Sequence, residues 1–385
     1  MLSAKLVIVH TVENQKRLSV VVVGGSLVGL AAAIALGRAG HRVKVVERSA
    51  ELLTEQGSGL GVDLGLLSWL VGERAVSELP AIRSGGRVSA SWSGVYQLLR
   101  DQAGTTPGVT RHDGVTVQRV SSSGSTARDG AVVVETAGLG SLRADVVVGA
   151  DGYRSLVRRH VAEDKPESEY AGYWLWRGVL DEADILDDSL LGKRAVARAL
   201  DRGLGVFTDS GGYLVTYPMP GKSGSIDPGR RRLSWNWYWS ASDGEPPWQA
   251  GSRPRTILAS ELDPTAAARV AAAADVLPYP WPRLIELTTQ RRGLFTNAIY
   301  EYLPHRLVGE RAVIIGDAAH VATPMTGAGL ITGFEDVIAL TEELGAADAT
   351  AVPDALRRYE QRRLGPAREL VGYSMSWSSR FRSGH

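Results

Sequence analysis

Three stretches far apart in the chain constrain its fold more than any other feature. They are Val20 to Gly29 (VVVVGGSLVG), Asp145 to Ser155 (DVVVGADGYRS) and Arg311 to Gly329 (RAVIIGDAAHVATPMTGAG). In the first, Leu18 and Val20 to Val23 form an apolar run of β-formers that breaks at Gly24-Gly25. Leu27 to Arg38, rich in Ala and Leu, reads as a helix, and Arg42 to Val46 as a second strand ending at Glu47. This is the strand–turn–helix–strand unit of a nucleotide-binding fold. Gly24 allows a sharp turn, and Gly29 lets helix and strand approach closely. Gly25, Ser26 and the amides of the helix start would face a pyrophosphate, where unpaired N–H groups and the helix dipole favour negative charge. Glu47, with Arg48 beside it, stands where an acid can accept a ribose hydroxyl. Ser26 replaces the middle glycine of the usual G-x-G-x-x-G.

The second stretch is a buried-type strand, Asp145 to Val148, running into Gly149-Ala150-Asp151-Gly152, with Ser155 and Arg158 at a helix start. Asp151 is a candidate cofactor contact. The third is a strand, Ala312 to Ile315, ending at Gly316-Asp317, followed by His320, Pro324, Gly327 and Gly329 and a helix from about Leu330 to Leu344. Asp317 would reach a sugar-alcohol hydroxyl. Gly327 and Gly329 would offer backbone N–H groups to phosphate oxygens and a flavin edge. A dinucleotide that needs both ends of the chain points to FAD rather than NAD.

Composition narrows the class. The 385 residues, 44% of them hydrophobic, suffice for a large core and two packed lobes. A net charge of +1, from 43 basic and 42 acidic residues, gives no sign of nucleic acid or an anionic membrane as partner. With no cysteine there is no disulfide, thiolate metal site or catalytic thiol, and the seven histidines show no ligand spacing, so no metal is expected. No apolar run reaches the ~18–20 residues that span a bilayer. The leader, Met1 to Arg17, is too interrupted for a secretory signal, and a cytoplasmic location is expected.

The expected fold is α/β: a Rossmann-like FAD-binding domain over 18–168 and 294–350, an antiparallel-sheet substrate domain over 169–293, and a C-terminal helix in 351–385. Gly57 to Gly61 reads as a loop near the flavin and Ser91 to Arg100 as a short helix. Val115 to Val134 reads as strands around a polar hairpin, Ser121 to Gly130, with Val117 beside the adenine. Trp and Tyr then crowd into alternating runs, Tyr173 to Leu180, Tyr213 to Tyr217 and Leu233 to Ser240. These predict an antiparallel sheet roofing an apolar cavity, the lobe offering flat aromatic walls, while any one tryptophan is expected rather to fill the core of the lobe. Glu261 to Asp275 and Pro280 to Gln290 read as helices. So does Ala355 to Arg380, with Arg357, Arg358, Arg362 and Arg363 on solvated faces.

The three motifs, in this order and over roughly Ser19 to Arg363, resemble the single-component FAD-dependent aromatic hydroxylases of the para-hydroxybenzoate hydroxylase type. Tyr170-Ala171-Gly172-Tyr173, Trp176-Arg177-Gly178-Val179, Tyr217-Pro218-Met219-Pro220-Gly221 and Trp235 to Trp239 are most similar to the branch that hydroxylates dihydroxypyridines. Two positions depart from the pattern: Ile331 stands where an Asn is usual, and Trp92 where an Arg is usual. The resemblance implies that NAD(P)H docks transiently, reduces the flavin and leaves. Oxygen is then activated at flavin C4a and passes to an electron-rich ring carbon. His320 and Tyr217 are candidates to take a proton from a ring hydroxyl, with Arg177 favouring the phenolate. The partner implied is a small aromatic substrate, and a homodimer stays open. Two other readings compete. Trp174-Leu175-Trp176 resembles the W-x-W of flavin-dependent halogenases, although no Ile-Pro follows. A non-catalytic FAD or aromatic-ligand binder would account for the two departures.

Overall fold

A computed structural model describes residues 17–51, 59–84, 86–123, 130–192, 200, 204–208, 213–249 and 251–383. Met1 to Lys16, Gly57 and Ser58 of the glycine loop, and the tip of the hairpin expected between Ser121 and Gly130 lie outside the described residues.

The valine runs become the centre of a five-stranded parallel sheet. Its order is Ala312–Ile314, Val146–Gly149, Ser19–Val23, Arg42–Glu47 and Val109–Asp113. All four pairings are parallel. The strands Ser19–Val23, Val146–Gly149 and Ala312–Ile314 are near-continuous apolar runs because helices cover both faces of such a sheet. The helix Leu27–Arg38 is apolar on every side for the same reason. It packs against the sheet and against the helices Trp92–Thr105 and Gly329–Leu344. The strand order reverses beside Ser19–Val23, so a crevice opens at the carboxyl ends of the strands, the usual ligand position in such sheets.

A second, antiparallel sheet has the order Gly205–Phe207, Tyr213–Met219, Arg232–Ser240, Glu169–Asp181 and Leu294–Glu301. The expected strands are present and longer than read. Leu294–Glu301 falls in the span expected for the flavin lobe, yet it is hydrogen-bonded along Glu169–Asp181 and belongs to the antiparallel sheet. The helices Pro264–Ala273 and Trp281–Gln290 cover the far face of this sheet. A three-stranded sheet, Gly59–Gly61, Arg87–Ser91 and Ala81–Ser84, bridges the lobes. The last helix, Val352–Arg382, lies across the flavin lobe and continues onto the antiparallel sheet. There the Ser378 hydroxyl donates to buried Glu301 at 2.9 Å and contacts the Tyr173 hydroxyl at 3.0 Å.

Arg363 does not sit on a solvated face. It falls on the same stripe of the helix as Leu356, Tyr359 and Ala367, all buried. Its Nε donates to Asp336 at 2.8 Å.

Candidate active site

A cavity of about 1310 Å³ runs from the ends of the parallel strands to the antiparallel sheet. Sites for drug-sized ligands occupy roughly 300–1,000 Å³, so this volume suits a large cofactor together with a small substrate. Most of the expected cofactor contacts line it: Gly24, Ser26, Glu47, Arg48, Val117, Asp151, Asp317, Pro324, Gly327 and Gly329. Gly25, Gly29 and Gly316 do not line it, and they shape the chain behind it. A Cβ on Gly29 would lie 2.0 Å from the Gly24 carbonyl oxygen, so the helix can meet the strand here only without a side chain.

At the nucleotide end, Ser26 caps the Leu27–Arg38 helix with extended backbone and no side-chain bond. The first amides of that helix have no intrahelical partner, which makes the terminus an anion site. Glu47 ends the second strand. Its two carboxylate oxygens accept from Gly25 N–H at 2.7 Å and Ser49 N–H at 2.8 Å. Those bonds fix the carboxylate at the cavity edge and leave lone pairs for a sugar hydroxyl.

The two later motifs meet through a residue to which the sequence reading gave no role. The Arg158 side chain is buried between their loops. It donates to the carbonyls of Pro166 at 2.6 Å, Tyr153 at 2.5 Å, Ala318 at 3.0 Å and Asp317 at 3.3 Å, and lies over the Tyr302 ring. Asp151 is largely engaged by the chain itself, accepting from Leu156 N–H at 2.6 Å and Val157 N–H at 3.2 Å as well as from Ser155. It therefore caps the next helix while lining the cavity. Asp317 is exposed to the cavity. Burial pushes its carboxyl up, against the lowering effect of His320 and Arg158.

His320 is not placed as a base. It is buried, does not line the cavity, and its Nε2 meets Asp336 Oδ2 at 2.7 Å. Asp336 also accepts from Gly316 N–H at 3.0 Å and from Arg363. Burial disfavours the imidazolium, yet Asp336 and Asp317 hold the His320 pKa above its ordinary value. The triad His320–Asp336–Arg363 joins the Gly316 turn to two helices, so its role is structural.

The tryptophans of the antiparallel sheet are turned away from the cavity. Side chains alternate along a strand, so Trp174, Trp176, Trp235, Trp237 and Trp239 share one face. That face packs on Val270, Trp281, Leu284 and Ile285 of the covering helices. The other face carries Arg177, Tyr213, Val215, Tyr217, Asn236 and Tyr238 into the cavity. Arg177 and Asn236 are direct cross-strand partners, and Phe295 flanks Arg177 from the opposite strand. Arg177 Nε donates to Asn236 Oδ1 at 2.9 Å, and its guanidinium lies 5.6 Å from the Phe295 ring centroid. The Tyr217 hydroxyl donates to the Gly59 carbonyl at 2.9 Å, so its proton is already committed. Burial pushes the Tyr238 hydroxyl well above its ordinary pKa and keeps it neutral. Of the departures from the motif pattern, Trp92 lines the cavity and stacks on Tyr96, whereas Ile331 does not line it.

Comparison with known proteins agrees with this geometry. Residues 170–299 match a family described as FAD binding domain-like, and 295–374 match the FAD binding domain family. Residues 19–59 match the pyridine nucleotide-disulphide oxidoreductase family. Hispidin-3-hydroxylase of Neonothopanus nambi is 30% identical over 403 residues, covering 91% of this chain and 86% of that protein. The chain belongs to the FAD-dependent aromatic hydroxylases. This hydroxylase is also 28% identical over 357 residues to 2,6-dihydroxypyridine 3-monooxygenase of Paenarthrobacter nicotinovorans, covering 84% of this chain and 82% of that protein. The solved structure of 2,6-dihydroxypyridine-3-hydroxylase from Arthrobacter nicotinovorans has the same fold. It matches with a TM-score of 0.79 at 23% identity, covering 96% of this chain and 94% of that one.

The residues present fit FAD. The hydroxylase offers a side-chain-free turn at Gly24, an open helix terminus at Ser26, and cavity-lining acids at Glu47 and Asp317 that would accept from sugar hydroxyls. When bound, FAD accepts hydride from NAD(P)H and activates oxygen. The chain's part would be to hold the cofactor, align a substrate ring and exclude water. Among the described residues, no helix is long and apolar enough to cross a membrane.

Proposed function

We propose that this hydroxylase acts on a small, flat aromatic or N-heteroaromatic ring bearing a hydroxyl. The ring would lie between FAD and the Tyr213–Tyr217–Tyr238 face of the antiparallel sheet, with its oxygen toward Arg177. The observation that carries this reading is the placement of Arg177: a cation on the cavity wall, beside the Phe295 ring, on the antiparallel sheet rather than on the parallel sheet that carries the nucleotide cradle. Tyrosine rings suit offset or edge contacts with a flat ligand. A guanidinium favours a deprotonated ring oxygen, which raises electron density at the carbon to be oxidised. A relative named for a dihydroxypyridine supports the same class of substrate.

In this reading Arg177 is the group that polarises the substrate. Tyr217 positions the wall and does not act as a base, since its proton rests on Gly59. Glu47, Arg48, Ser26, Asp317, Gly327 and Gly329 hold FAD. A cytoplasmic location fits turnover that draws on NAD(P)H. The test is a panel of phenols, hydroxypyridines and hydroxyindoles given to purified protein with NAD(P)H and air. Faster NAD(P)H consumption with a product heavier by one oxygen atom supports the reading. Acceleration only by long aliphatic chains would sink it.

A further inference from the structure

Asn236 lies between two tryptophans in the sequence and faces the opposite way from both. It stands beside Arg177 in register, and its amide is held at both ends. Its Oδ1 accepts from Arg177 Nε at 2.9 Å, and its Nδ2 donates to the Tyr217 hydroxyl at 3.4 Å. Tyr217 in turn gives its one proton to the Gly59 carbonyl at 2.9 Å. The direction of every bond follows from the chemistry of the groups. A guanidinium only donates, so it takes the amide oxygen, which turns the amide nitrogen toward Tyr217. The tyrosine oxygen can accept there because its own hydrogen is on Gly59. The four groups form one polarised row from Arg177 on the antiparallel sheet to the Gly59–Gly61 strand, which also lines the cavity. Close contact locks the far end: a Cβ on Gly59 would stand 2.6 Å from Tyr217 Cε2.

We infer that Asn236 is a positioning residue for Arg177 and sets the preference of the site for a ring carrying an anionic oxygen. The inference rests on the substrate reading given above. A neutral amide can aim a guanidinium without cancelling its charge. A carboxylate in the same place would make a charge-assisted pair with it and compete with an anionic ligand. Side-chain length is the same in the two cases, so Asn and Asp at this position differ in charge and not in reach.

The test uses the FAD-loaded enzyme and two probes, 4-nitrophenol at a pH where it is ionised and nitrobenzene as its neutral counterpart. Binding is read from the flavin absorbance. The wild type should bind nitrophenolate about tenfold or more tighter than nitrobenzene, the scale of one hydrogen bond to a charge. Asn236→Asp should lower nitrophenolate affinity about ten- to a hundredfold and leave nitrobenzene within about twofold. Asn236→Leu, which adds no charge, should fall between, and it serves if the aspartate variant fails to retain FAD. A merely structural role would move both probes together. Equal binding of the two probes by the wild type, no saturable nitrophenolate binding, or a probe ratio unchanged in both variants would overturn the assignment. If the wild type hydroxylates a hydroxyaromatic while the ratio is unchanged, only the role of Asn236 falls. If it hydroxylates none, the substrate reading falls with it.

Discussion

Gly24→Ala and Gly40→Ala separate backbone strain from steric exclusion at the nucleotide turn. The two glycines have similar left-handed backbones, with φ of 104° and 92°. An alanine in that region costs roughly 1–2 kcal/mol at either site. Their surroundings differ. A Cβ on Gly40 meets nothing within 4 Å, whereas one on Gly24 lies 2.3 Å from the Ala150 carbonyl oxygen and 3.0 Å from Asp151 N. Relief at Gly24 requires the ends of two paired strands to part, and overpacking of that kind adds roughly 1–3 kcal/mol. Gly40→Ala should therefore lose about 1–2 kcal/mol of stability and keep its FAD. Gly24→Ala should lose about 2–5 kcal/mol and most of its FAD, because the displaced loop also carries Asp151. Thermal melts and the visible flavin absorbance of the purified proteins read both quantities. Equal destabilisation of the two variants, with full flavin in each, would refute the argument.

Glu47→Ala and Asp317→Ala should each weaken FAD retention about tenfold or more, as expected for losing a charge-assisted hydrogen bond, measured by equilibrium dialysis of released flavin. Arg177→Met should slow hydroxylation at least about tenfold while FAD binding stays close to wild type, as seen in single-turnover rates beside flavin content. Tyr217→Phe should raise the hydrogen peroxide formed per NAD(P)H, because the wall loses its anchor on Gly59; unchanged coupling would remove that role. His320→Ala should destabilise the fold by about 3–5 kcal/mol, the scale for breaking a buried pair. Because Asp336 and Asp317 raise the His320 pKa in the fold, its contribution is complete below the ordinary value of 6.5 and is lost as pH rises through the raised value. The depressed Asp336 pKa contributes in the opposite sense, being lost as pH falls through it. Melting temperatures across this range should show an alkaline decline in the wild type that His320→Ala lacks.

The nucleotide lobe was legible because its signals are local. A valine run, a glycine turn and an alanine-rich helix dictate their own conformations, and the expected helix Leu27–Arg38 has the observed bounds. The parallel strand Val109–Asp113 was missed, since VTRHD lacks an apolar run and lies at the sheet edge. At the substrate end the period of two is legible, and so is the tendency of each tryptophan to fill the core, but the residues that face the cavity are not. In Leu233 to Ser240 the tryptophans alternate with Ser234, Asn236 and Tyr238. The pattern separates two faces without saying which one meets the cavity, because helices distant in sequence cover the other. His320 looked like a base from its place after Gly316-Asp317, and only Asp336, sixteen residues on, shows it to be part of a buried pair. Arg363 could have been found, since it shares a helical stripe with Leu356, Tyr359 and Ala367. Arg158 and Asn236 act through contacts with distant segments, and single-sequence patterns do not reveal such contacts.

The most direct test of the whole account is the stoichiometry of one reaction: purified protein, NAD(P)H, isotopically labelled oxygen gas and a hydroxyaromatic that accelerates NAD(P)H oxidation. The expected product bears one labelled oxygen atom and forms nearly one-to-one with NAD(P)H, without any second protein. NAD(P)H consumed only to hydrogen peroxide with every hydroxyaromatic tried, or product appearing only after a separate flavin reductase is added, would contradict it.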